Sequence, residues 1–168
     1  MRHEWHTHHS FAGWLDRYDL AGLAKEERPP DELRMLVQRA RVIVASDMVR
    51  AEESAALLAG NREVIPSPLL REAKLEIPEC FGLRLPLVLW GPLIGLRWKR
   101  SRPKPDAKRG GEAAAWLASL AREHGTVAAI THGAIRRTIA DALIADGWSC
   151  SLPKRNSWRE WSVWEVTP

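Results

Sequence analysis

Cysteine is almost absent from this 168-residue chain, with Cys80 and Cys150 the whole supply. Two cysteines cannot build a disulfide framework. That excludes a small disulfide-stapled scaffold and sets the expectation of a reducing, cytoplasmic location. Uninterrupted apolar runs are also missing. The longest apolar stretch, 81–98, is broken by Arg84, Pro86, Pro92 and Arg97, which makes it a poor membrane span. It reads as a buried or pocket-lining segment, with a membrane-surface role as the less favoured alternative, and no membrane partner is expected. No secretory leader is expected either, because the first ten residues hold four histidines and no apolar core. Phe and Tyr number only two and one, whereas Trp numbers nine. Residues such as Trp90, Trp98, Trp148, Trp158, Trp161 and Trp164 are expected to pack in the core or at its rim.

What is present is the composition of one folded domain covering 1–168: 45% hydrophobic and 27% charged residues. The net charge is +4 and the isoelectric point about 9.4. This basic character is concentrated. Residues 97–109 hold seven Lys/Arg and one Asp, a net +6, so the remainder of the chain sums to −2. The excess reads as one basic loop and not as a general affinity for polyanions.

Hydrophobic periodicity predicts helices over 11–24, from Pro29-Pro30 to about Arg39, and over 47–59, 112–123 and 134–146. A further helix is expected around 87–98, inside an irregular apolar insertion spanning 69–100. Short β-rich runs at 41–46, 63–65, 125–131 and 161–166 read as strands, with Gly60-Asn61 as a helix stop and 101–111 as loop. Strands alternating with helices imply an α/β fold with a mainly parallel sheet.

Such sheets bind ligands at the carboxyl ends of their strands, beside helix N-termini. Two junctions there carry chemistry. In Val44-Ala45-Ser46-Asp47-Met48-Val49-Arg50, Ser46 or Asp47 is expected to cap the following helix, with the Arg50 guanidinium one turn in. In Ile130-Thr131-His132-Gly133, an imidazole ends an apolar strand and Gly leads into a helix. Arg2-His3 sets a cation beside a nucleophile at the N-terminus.

Taken in order, Arg2-His3, Ser46-Asp47-x-x-Arg50-Ala51, Leu70-Arg71-Glu72, Gly110-Gly111-Glu112 and Thr131-His132-Gly133 resemble the motifs of the histidine phosphatase superfamily, the phosphoglycerate mutase-like family. The resemblance covers nearly the whole chain. It implies a three-layer α/β/α fold and a phosphomonoester hydrolase that needs no metal or cofactor. His3 would be the nucleophile, and Arg2, Arg50 and His132 would hold the phosphoryl oxygens. Glu72 would be the proton donor, with Glu76 and Glu79 as alternative acids on the same segment. The implied partner is a small phosphorylated substrate. Glu4 replaces the Gly of the family signature, and no strand precedes Arg2, so the expectation is a fold short of its first strand or a natural start further upstream.

Three other readings compete. The N-terminal histidines suggest a metal site, but His3-Glu4-Trp5-His6 lacks the four-residue spacing of a helical zinc motif. The basic run 97–109 with Trp98 suggests nucleic-acid binding, which is not expected of one short stretch. A non-catalytic phosphoester-binding relative keeps the fold and loses the chemistry.

Overall fold

The computed structural model describes residues 5–24, 26–79, 82–100, 106–151 and 161–168, and the backbone alone of Lys99. The elements in chain order are β1 (Trp5–His6), α1 (His8–Asp19), α2 (Asp31–Arg39), β2 (Val42–Ser46), α3 (Val49–Ala59), β3 (Ile65–Ser67), a 3-10 turn (Pro68–Leu70), β4 (Leu85–Pro86), α4 (Leu87–Arg100), α5 (Ala107–His124), β5 (Val127–Ile130), α6 (Gly133–Ala145), β6 (Ser149–Ser151) and β7 (Glu165–Thr167). The protein is mixed α/β, and its central sheet is parallel with strand order β3-β2-β5.

β2 is the middle strand, and its last four residues are all buried. Its Val44 pairs with Ile65 on one side and Ala129 on the other. Alternate side chains of a strand point to opposite faces, so β2 feeds two cores. Val44 joins Ala114 and Ala118 of α5 and Ile135 and Ile139 of α6, with Val42 at the margin. Ile43 joins Val37 of α2 and Leu58 of α3. The run 42–45, apolar throughout, is what a strand covered on both faces requires.

A third cluster ties α1 to α4. Phe11 stacks on Trp90 with centroids 4.6 Å apart, and Trp14 stacks on Phe11 at 5.5 Å. Trp90 is fully buried, in keeping with its expected packing role. Within the segment 81–98, however, α4 is covered on one side only among the described residues. Trp90 and Ile94 are buried, whereas Val88, Leu89 and Leu96 face water, so the buried or pocket-lining reading holds for half of the helix.

Several boundaries differ from expectation, each for a local reason. α1 starts at His8, because Thr7 and Ser10 form a reciprocal cap ahead of the apolar periodicity, and it ends at Asp19. The cap of α3 is Met48, with no side-chain hydrogen bond, and not Ser46 or Asp47, whose side chains are engaged elsewhere. The strand expected at 63–65 lies at Ile65–Ser67 and includes Pro66. Among the described residues β3 is an edge strand, where the missing N–H of proline is tolerated. Gly60 does end α3, at φ 61°.

The expected loop 101–111 is a helix from Ala107 onward. Gly110 sits inside it, 2.8 Å from the Asp106 carbonyl, packed so closely on α6 that a Cβ there would lie 2.5 Å from Thr138 Cγ2. The basic run is therefore split between the end of α4 and the start of α5, and 101–105 lie outside the described residues. The closing strand is β7, and it pairs antiparallel with β6 instead of joining the parallel sheet. β1 and β4 also pair antiparallel, setting Trp5 opposite Pro86. No helix among the described residues is long and apolar enough to cross a membrane.

Candidate functional site

The parallel strands bring Ser46, Ser67 and Ile130 to one edge of the sheet. The segments that leave this edge carry Asp47, Arg50, Arg71, Glu72 and His132. Arg2 and His3 lie outside the described residues.

His132 stands at the N-cap position of α6 but makes no side-chain cap. Its Nε2 instead meets Ser46 Oγ at 2.9 Å, and both residues are buried. Ser46 Oγ also accepts the N–H of Met48 at 3.3 Å, so the ends of β2 and β5 share one hydroxyl. Burial, and then the nearby cations Arg50 and Arg109, lower the His132 pKa to about 4, against a smaller opposing pull from Asp47. The ring is therefore neutral near pH 7.

The cap of α6 comes from Glu72. Its Oε1 accepts the N–H groups of Ala134 at 3.1 Å and Ile135 at 3.0 Å, and that of Ala73 at 2.9 Å. A carboxylate suits a helix N-terminus, where unpaired N–H groups and the helix dipole both favour negative charge. Burial nevertheless raises the Glu72 pKa: the three N–H groups oppose the shift, and nearby Asp19 adds to it. The described hydrogen bonds of this carboxyl all fall on Oε1. Glu76 and Glu79 are exposed, and Glu76 pairs with Arg97 at 3.1 Å. Of the three candidate acids, Glu72 is the one placed at this edge.

Arg50 reaches back to the end of α1. Its Nη1 donates to the Tyr18 carbonyl at 2.6 Å, its guanidinium lies 4.2 Å from the Tyr18 ring centroid, and Nη2 is 3.8 Å from Asp19 Oδ1. A cation belongs at a helix C-terminus, and the aromatic face adds a cation–π contact.

Sequence reasoning missed two contacts. Asp47 takes a two-pronged hydrogen bond from Arg71, with both distances 2.6 Å, and this pairing holds its carboxyl below the ordinary aspartate range. Arg109, hidden in the basic run, turns inward and donates to the carbonyls of Leu69, Arg71 and Glu72. It also lies 3.2 Å from Asp106, which in turn accepts the N–H of Lys74 at 2.7 Å. Burial alone would raise the Asp106 pKa, but these donors outweigh it and the net shift is downward. The segment 69–74 is thus clamped from α5. No spacing rule marks Arg109 for this, and the sequence pattern marks Ser46 only as a cap.

Among the described residues, no group of three or more His, Cys, Asp or Glu is placed to hold a metal ion. Of the N-terminal histidines, His6 packs near Phe11 and Trp14, and His8 Nδ1 donates to Pro78 O at 3.2 Å.

No protein-family model, curated protein or solved structure matches this chain.

Proposed function

We propose that the chain is a phosphomonoester hydrolase of the histidine phosphatase type, built on a three-layer phosphoglycerate mutase-like fold and acting on a small phosphorylated substrate in the cytoplasm. The observation that supports it best is the gathering of Glu72, His132 and Ser46 at the carboxyl edge of a parallel sheet, from three separate junctions, with the charge of Arg50 near enough to lower the His132 pKa. That edge is where an open α/β sheet takes its ligand.

In this reading His3 attacks phosphorus in line and forms a phosphohistidine, while the P–O bond to the leaving group breaks. Glu72, with its raised pKa, carries the proton that the leaving oxygen takes. Its carboxylate then accepts a proton from the water that attacks phosphorus, the P–N bond to His3 breaks, and orthophosphate and the free imidazole are released. Arg2 and Arg50 neutralise the phosphoryl oxygens. His132, neutral in the empty site, becomes the charged donor when the phosphate dianion arrives. Positioning and electrostatics carry most of the rate in phosphoryl transfer, so no metal or cofactor is required.

The test is phosphate release from a generic aryl phosphate by the wild-type chain, His3→Ala and Glu72→Gln. Turnover in the wild type alone, with an acid-labile phosphoryl group trapped on the protein, is the expected result. Equal turnover in His3→Ala would remove the nucleophile assignment. A silent wild type that still binds orthophosphate would point to the non-catalytic phosphoester-binding reading.

A further inference from the structure

α4 is apolar on two faces, and among the described residues only one of them is covered. Trp90 and Ile94, one turn apart, face inward with Leu87 beside them. The opposite side carries Val88, Pro92 and Leu96 at four-residue spacing, with Leu89 on its flank. Val88 is 73% exposed, and Leu89 and Leu96 are 46% exposed each. At the head of the helix, Trp5 is 59% exposed and sits opposite Pro86. A contiguous water-facing apolar surface of this kind marks a docking site.

Charge identifies the occupant. Residues 82–100 contain Arg84, Arg97, Lys99 and Arg100 and no Asp or Glu, and the sequence continues to Lys104 with two further cations and no carboxylate. Arg97 is paired with Glu76, whereas Arg84 and Arg100 are exposed at the two ends of the apolar face. A second copy docked antiparallel on this face would bring Arg84 of one chain against Arg100 of the other, like charge on like. An anionic bilayer satisfies both features: its acyl boundary accepts the apolar side chains, and its headgroups accept the cations. At 14 residues α4 is about 21 Å long, too short to cross a core of about 30 Å, so it lies along the surface.

We infer that α4 is an interfacial helix that seats this chain on an anionic lipid surface, with Val88, Leu89 and Leu96 in the acyl boundary and Arg84 and Arg100 at the headgroups. The sequence reading favours a buried or pocket-lining 81–98 over a membrane-surface role, and the exposed side of the helix is the observation that reverses that order. The inference is independent of the phosphatase proposal.

The test is cosedimentation of the full chain with vesicles of phosphatidylcholine alone, or with about one third phosphatidylglycerol. Binding to the anionic vesicles, released by salt, is expected. The double variant Val88→Asp/Leu96→Asp alters exposed positions, so its circular dichroism should match the wild type while its lipid affinity falls about tenfold or more. Arg100→Glu should weaken binding and flatten its salt dependence. Failure to bind either vesicle overturns the inference, as does binding unchanged in both variants. A wild-type dimer that ignores vesicles and becomes monomeric in Val88→Asp/Leu96→Asp also overturns it, and assigns the face to a second copy.

Discussion

The Nε2 atom of His132 lies 2.9 Å from Ser46 Oγ, in surroundings that leave His132 only 8% exposed and Ser46 fully buried. This bond joins the last residue of the central strand to the first turn beyond its neighbour. It also fixes the imidazole among cations that discourage its protonation.

A pH dependence of stability follows. Unfolded His132 takes a proton below its ordinary pKa of 6.5, whereas the folded protein refuses it until about 4. The contribution of this group is complete above pH 6.5 and is lost as pH falls toward 4, by about 3 kcal/mol at the lower limit. Asp47 and Asp106, both lowered, act in the same direction, but only below the ordinary aspartate value of 3.8. Glu72, raised, acts oppositely: its contribution is present below its ordinary value of 4.5 and is lost as pH rises through the higher folded pKa. Urea unfolding at several pH values between the two His132 limits should show a clear slope in the wild type and a flattened one in His132→Asn. Identical slopes would dismiss the assignment.

Glu72 has two roles that substitution can separate. Glu72→Ala strands the N–H groups of Ala73, Ala134 and Ile135 and should cost about 2 kcal/mol in denaturant unfolding. Glu72→Gln keeps an acceptor oxygen and should stay within about 1 kcal/mol of wild type. If Glu72 is also the proton donor, both variants lose turnover although only the first loses stability. Full turnover in Glu72→Gln would leave it a structural cap alone.

Gly110 is required by packing. Its missing Cβ would lie 2.5 Å from Thr138 Cγ2 and 3.0 Å from Thr138 Cβ. Gly110→Ala should therefore destabilise by about 1–3 kcal/mol, despite the better helix propensity of alanine. Thr138→Ala removes the closer atom, so the double variant should recover part of the loss in a double-mutant cycle. Strict additivity of the two changes would show that the α5–α6 approach relaxes around the new methyl.

Arg109 clamps the segment that bears Glu72. Arg109→Lys keeps the charge but cannot serve several carbonyls with one planar fork. A loss of about 1–2 kcal/mol is expected, after allowing for its partial exposure, with faster amide hydrogen exchange localised to 69–74. Exchange that is unchanged there would mean the clamp is redundant.

Local pattern carried much of the fold. The apolar run 41–46, the periodic segments of α2, α3 and α6, and the strand before His132 lie within about two residues of where periodicity and stop signals put them. These elements are legible because each is set by its own spacing and by burial that any α/β arrangement imposes. The same pattern located His132 at a strand end, and the family resemblance singled out Glu72, but neither showed that the Glu72 carboxylate caps the helix His132 leads into.

Contacts between distant segments were not legible. The two-residue strands β1 and β4 exist only through each other, and β7 found β6 instead of the parallel sheet, because pairing this short depends on proximity and not on propensity. The inward turn of Arg109, the sharing of Ser46 Oγ and the uncovered side of α4 likewise depend on where neighbouring elements come to rest. A chain pattern states which residues are apolar or charged; which of them meet, and which are left facing water, is settled when the layers pack.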